Sequence, residues 1–155
     1  MTTRQEANQA LNEACVEFKN DPYAFTLFMY PWGKGALADW DGPDWWHKEV
    51  FQTIKEYLEG PETMPLCIAI ASGHGAAKTV LAAWLMHWYM STRLQPQVVC
   101  TANTETQLNT KTWRELAKWH KLALNHDCFD WTATSYYLKA HPETWKANAI
   151  PWSEN

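Results

Sequence analysis

Apolar residues keep a helical rhythm through the first third of the chain. Over residues 3–18, Ala7, Leu11, Cys15 and Phe18 recur among polar neighbours, which predicts an amphipathic helix stopped by Asn20-Asp21-Pro22. Asp21 is placed to cap a second helix with Pro22 at its first position, running over 23–30 until Pro31. A loop of Gly, Asp and Pro follows as far as Asp44, carrying Trp32 and Trp40, rings that predict partial packing. Pro43 opens a third helix with Trp46, Val50, Ile54 and Leu58 on one face, and Gly60-Pro61 ends it.

The pattern then changes. Residues 66–71 form a short apolar run that predicts a strand, and a glycine-containing turn follows it. Residues 79–92 predict a helix that is apolar nearly all round, and such a helix belongs in a core. Val98, Val99 and Cys100 predict a second strand over 97–101. Thr104-Glu105-Thr106-Gln107 is a capping-box sequence, opening a long helix with Leu108, Thr112, Leu116, Trp119 and Ala123 on one face. Residues 130–138 and 145–152 predict paired strands, with the turn at His141-Pro142-Glu143. Strands separated by helices imply parallel pairing and right-handed crossovers. The expected class is α/β, with a helical region over 1–62 capping a sheet-containing region over 63–155.

Composition adds two things. The chain has 155 residues, enough for one domain with a real core, and eleven of them are Trp. A core of large rings is expected, with some left for surfaces. The net charge of −4 argues against a chain basic throughout, though not against a local basic patch. Cys15, Cys67, Cys100 and Cys128 form no C-x-x-C; Cys67 and Cys100 sit in apolar runs and are expected as buried thiols in a reducing compartment. No signal peptide is read at the polar N-terminus, and the longest apolar run, 80–90, is too short for a bilayer and contains His87.

Candidate chemistry centres on LCIAIASGHGAAKT, residues 66–79. A triphosphate needs backbone N–H groups, the positive end of a helix and a lysine. Here Ser72, Gly73, His74, Gly75, Ala76 and Ala77 would form the loop, Lys78 would reach the terminal phosphates, and Thr79 would ligate Mg²⁺. Against G-x-x-x-x-G-K-[ST], Ser72 and Ala77 stand where glycines belong. Ser72 is a mild change. A methyl at Ala77 either crowds the nucleotide or sits in a turn that alanine tolerates poorly.

SGHGAAKT, the Trp-rich helix after it and VVCTANTETQLNTKTWRELAKWH together resemble the large terminase subunit of tailed bacteriophages. YPWG, DGPDWW, TATSYYL and NAIPWSEN agree, in order, from about Asp21 to Asn155, and TANTETQL…KTW is the most specific stretch. The resemblance implies a P-loop NTPase-like parallel sheet, ATP with Mg²⁺, and a motor that packages double-stranded DNA in the cytoplasm of a bacterial host. Its implied partners are the DNA, a portal protein and the small terminase subunit, with no membrane. Three departures stand out. The family usually reads SGHGxGKT or SGRGxGKS, with glycine where Ala77 stands. It commonly has Trp-Gln at the head of the third helix, the glutamine reading the adenine edge, where this chain has Trp46-His47. The chain given also ends at Asn155, before the family's Walker B pair and nuclease domain. The expectation is therefore the first part of an ATPase domain over 63–155, without efficient hydrolysis on its own. The alternative is a short terminase-like prophage protein, acting as a non-catalytic interaction or decoy module whose partner covers a truncated sheet edge.

His120, His126 and Cys128 lack the second close pair that a zinc site needs, and solvated or capping histidines are the expected reading. Lys111, Arg114, Lys118 and Lys121 share part of the long helix's polar face beside Trp113, either as a solvated face or as a DNA-facing stripe.

Overall fold

The computed structural model describes residues 3–73 and 77–152. Local signals fix the early helices. Helix α1 (Arg4–Val16) starts in a capping box, Glu6 N–H donating to Thr3 Oγ1 while Thr3 N–H donates to the Glu6 carboxylate. Helix α2 (Pro22–Met29) has Asp21 Oδ1 accepting from Ala24 N–H at 2.9 Å. The other Asp21 oxygen takes Lys55 Nζ at 2.7 Å, joining that cap to helix α3 (Trp45–Glu59).

Helix α4 (Lys78–Thr92) is the central element, packed by α1, α2, the sheet and the long helix that follows. Its Leu81, Ala83, Trp84, Met86, His87, Trp88 and Met90 are all buried, as an all-round apolar helix requires. The long helix begins at α5 (Glu105–Gln107), capped by Thr104, and continues without a break through a π-helical segment, Leu108–Trp113, into α6 (Arg114–Leu122). Bonding from i to i+5 brings residues five apart onto one side, so Leu108 and Trp113 are both buried and Thr112 only half-buried.

Four strands make one sheet in the order β1 (Gln97–Cys100), β4 (Lys146–Ala149), β3 (Ser135–Leu138), β2 (Phe129–Trp131). The β1–β4 pair is parallel and the other two pairs are antiparallel, so the class is α/β with a mixed sheet. Phe129, Tyr136, Ala147 and Ala149 are buried in the same core as Cys15, Phe25 and Phe51 from the first three helices. Among the described residues no helix is long and apolar enough to cross a membrane.

The expected parallel sheet is a mixed one, with two of its three pairs antiparallel, and the sequence expectation fails at further places. Residues 66–71 are not a strand: they form no ladder, and Leu66, Ile68 and Ile70 are each about two-fifths exposed. They supply strand-like side chains but pair with no strand among the described residues, and an extended segment without a partner is only a loop. Cys67 is consequently exposed and Cys100 only half-buried, while Cys15 and Cys128 are the buried thiols; burial beside Cys128 pushes Cys15 up to about 12. The run 130–138 is two strands, because Thr132 turns the chain: its Oγ1 accepts from Thr134 and Ser135 N–H, and its own N–H donates to Ser135 O at 2.8 Å. The buried face of α3 is His47, Phe51 and Ile54, one step round from the predicted stripe, which leaves Trp46, Val50 and Leu58 half-buried at its margin.

A polar chain runs through this core. Tyr30 O–H meets His87 Nδ1 at 2.8 Å, His87 Nε2 meets Asn125 Oδ1 at 2.8 Å, and Asn125 Nδ2 donates to Ser91 Oγ at 3.0 Å. Asn125 Oδ1 can only accept, so the His87 proton sits on Nε2 and Nδ1 accepts from Tyr30. Every link is satisfied by neutral histidine. Burial lowers the His87 pKa to about 3, against the partial support of Asn125, and raises Tyr30 well above its ordinary value. Between about 3 and 6.5 the unfolded chain therefore binds a proton at this position that the folded chain refuses. The stabilisation is complete above the unfolded value and is lost as the pH falls, by ~1.4 kcal/mol per pH unit for this group alone. His47 and His120 are lowered by burial in the same direction. Urea midpoints at pH 7, 6 and 5 should fall steadily, and more shallowly in His87→Gln; equal midpoints at all three values would contradict a neutral buried imidazole.

Candidate functional site

The start of α4 is unusual in its backbone. Ala77 is its N-cap residue, with φ 55° and ψ 27°, the left-handed conformation in which a Cβ crowds the carbonyl oxygen. Gly73 does not need its freedom: an added Cβ there would meet nothing within 4 Å, and its φ is outside the left-handed range. Among the described residues of the loop, the left-handed conformation thus falls on Ala77, one of the two positions where glycine is missing. Of the two readings of Ala77, the strained turn is the one observed.

Lys78 turns back onto the loop. Its Nζ donates to Ser72 O at 2.7 Å, to Ser72 Oγ at 2.7 Å and to Gly73 O at 3.0 Å. Three oxygens gathered round an ammonium are what phosphate oxygens would replace. Thr79 follows in the first turn of α4, half-buried. His74, Gly75 and Ala76 lie outside the described residues.

Beside the loop lies a cavity of about 250 Å³, lined by Trp32, Trp40, His47, Ala77, Trp84 and Trp119 among others. The loop before α3 builds one wall. Gly33, at φ 71°, donates its N–H to Leu37 O and Trp40 O, and Trp32 Nε1 donates to Thr26 O at 2.8 Å. The rings pack edge to face, with centroids 5.8 Å apart for Trp32–Trp84 and 4.9 Å for Trp84–Trp119.

His47 joins the cavity to the loop. It sits in the first turn of α3, its ring centroid 3.8 Å from that of Trp46 at a tilt of 33° and 5.0 Å from that of Trp84, and is 2% exposed. Its Nε2 lies 3.3 Å from Ala77 O. A carbonyl only accepts, so Nε2 carries the proton and Nδ1 is left as a bare acceptor. Burial lowers its pKa, opposed by the Ala77 bond and by Asp44.

Of the predicted site residues, Ser72, Gly73, Ala77, Lys78 and His47 are thus brought together, with Thr79 next in line. Sequence reading missed Trp32, Trp40, Trp84 and Trp119 as a cavity lining. One signal was available: Ala77, Val80 and Trp84 follow at spacings of three and four, so they share the side of α4 that carries the loop.

The candidate histidines of the long helix and the turn after it are bonded within the fold. His120 Nδ1 lies 3.2 Å from Tyr136 Oη, and His126 Nδ1 lies 2.8 Å from Ala123 O. Among the described residues no group of three His, Cys, Asp or Glu could hold a metal. Arg114, Lys118 and Lys121 line an open groove with Trp113 and Trp131, and Lys118 also approaches Glu115 at 3.4 Å. Compared with protein-family models, with curated proteins and with solved structures, the chain gives no match.

Relieving the left-handed alanine should stabilise the fold. The strain costs about 1–2 kcal/mol, and glycine returns about 0.5–1 kcal/mol of that as unfolded-chain entropy. Ala77→Gly should therefore raise the unfolding free energy by roughly 0.5–1 kcal/mol, and Ala77→Val should lower it. Urea titration decides; a glycine variant less stable than the parent would contradict the left-handed geometry.

Proposed function

We propose that the chain is the ATP-binding part of a DNA-packaging ATPase of the large-terminase type, with a P-loop NTPase-like fold, working in the cytoplasm of a bacterial host. One contact carries this reading: His47 Nε2 against Ala77 O at 3.3 Å. The terminase resemblance assigns the head of the third helix to the base of a nucleotide and 72–79 to its phosphates. These stretches are thirty residues apart in sequence and touch in the fold. The Lys78 contacts support the same reading, since a lysine already holding three oxygens needs only to exchange them. Mg²⁺ would take the Thr79 hydroxyl with the phosphates. Double-stranded DNA, a portal protein and a small terminase subunit are the partners this reading implies, and the groove of Arg114, Lys118 and Lys121 is the basic surface available for DNA.

A terminase-like module without turnover is the second reading. It is favoured by an open apolar groove in which Leu66 and Ile68 face Val98 and Val99 along the outer edge of β1.

Titration with Mg-ATP tests the first reading. The protein should bind Mg-ATP at or below millimolar concentration, and Lys78→Ala should weaken binding at least about tenfold, the loss expected for a charge-assisted contact. If the parent fails to bind and Ala77→Gly with His47→Gln restores binding, the ATP-dependent reading fails for this chain and the module reading stands.

A further inference from the structure

The end of α4 away from the candidate loop borders a second cavity, a groove of about 680 Å³, within the usual range for ligand sites of about 300–1,000 Å³. The fifteen residues of α4 put about 20 Å between loop and groove. One wall is a single stripe of α1. Gln5, Asn8, Gln9, Asn12 and Val16 recur at the three- and four-residue intervals that keep to one side of a helix. Met90, Phe129, Leu138 and Trp145 supply an apolar floor, and Val16 and Leu94 border it at 57% and 83% exposure.

Four primary amides in one stripe are an uncommon choice for a helix face left to water. Asn is a poor helix former, and Glu, Lys or Arg build such a face more favourably. Helix α1 does have an ordinary charged flank next to the groove, where Glu6, Glu13 and Glu17 follow at spacings of seven and four. The amide stripe is therefore distinct from it. Each amide carries donors and an acceptor, and each peptide group of an extended chain needs one of both kinds. From Gln5 to Lys19 the wall runs for about 20 Å, the span of about six residues in extended conformation.

Charge gives the second constraint. Lys19, Arg93 and Lys139 border the groove against one carboxylate, Glu13, in a chain whose net charge is −4. Among the described residues none of these three cations forms an ion pair. Arg93 is held in place all the same. Its guanidinium lies 4.2 Å from the Trp88 ring centroid and 4.7 Å from that of Tyr89, and Nη1 donates to Thr92 Oγ1 at 2.7 Å. That bond uses only one of its N–H donors.

We propose that this groove binds an extended acidic peptide segment of a partner protein. Its carboxylates pair with Lys19, Arg93 and Lys139, its apolar side chains rest on the floor, and its backbone meets the amide stripe of α1. A fatty acid would leave the amides unmatched, and a nucleic-acid strand would set its phosphates along a wall of α1 that carries no positive charge before Lys19. The proposal does not depend on the ATP-binding reading.

Selection of a random hexapeptide library, displayed on phage, against the whole chain tests it. Enriched sequences should combine Asp or Glu with Leu, Ile, Val or Phe. A fluorescein-labelled peptide of the most enriched sequence then gives affinities by anisotropy. Lys139→Glu and Asn12→Asp, both at exposed positions, should each weaken it at least about tenfold, while Lys34→Gln, outside the groove, should leave it unchanged. Enrichment of basic peptides, or no enrichment at all, overturns the proposal. So do unaltered affinities in Lys139→Glu and Asn12→Asp. Displacement of the peptide by equimolar palmitate or oligothymidylate also overturns it and assigns the groove to a lipid or to a nucleic acid.

Discussion

Burying α4 round most of its circumference is the constraint from which the rest follows. A helix carrying Leu81, Trp84, Met86, Trp88 and Met90 round its circumference cannot rest against one neighbour. It requires several walls, and α1, α2, the long helix and the sheet supply them. Trp84 shows how tightly the arrangement is coupled, meeting Trp32 from the loop, His47 and Phe51 from α3 and Trp119 from α6. Such rings contribute much of the apolar area in the fold, and their preference for edge-to-face packing fixes angles between helices as well as distances. The same burial forces the histidine in the helix to be neutral, which is why a chain of polar partners accompanies His87 through the core.

Elements governed by local chemistry were legible from the sequence. Asp21-Pro22 starts α2, and the Thr104 cap starts the long helix, because capping depends on residues three positions apart and on little else. Elements governed by a distant partner were not. The apolar run 66–71 has strand composition, yet strand formation requires a ladder that no count of isoleucines reveals. In the same way β2 and β3 separate at Thr132 because one hydroxyl satisfies two backbone donors, a choice that alternation of side chains leaves open.

The site divides similarly. Its loop half was legible in one respect: a missing glycine at Ala77 pointed to the position where the backbone turns left-handed. Its aromatic half was hidden, because tryptophans that line a cavity and tryptophans that fill a core look alike in a sequence. What distinguishes Trp84 is that its buried indole N–H has no partner among the described residues, a property of the fold alone.

The π-helical segment Leu108–Trp113 has a consequence for how the chain tolerates changes in length. A π turn holds one residue more than an α turn, and the excess is confined to this segment. Deleting a single residue between 108 and 113 would let the helix relax to uniform α geometry, with the Thr104 cap and the Trp119 face keeping their phase. A deletion within α6 would instead rotate every later side chain by about a hundred degrees and turn Trp119 away from Trp84. The long helix therefore has one place where its length is adjustable, between the cap that begins it and the ring that closes the cavity.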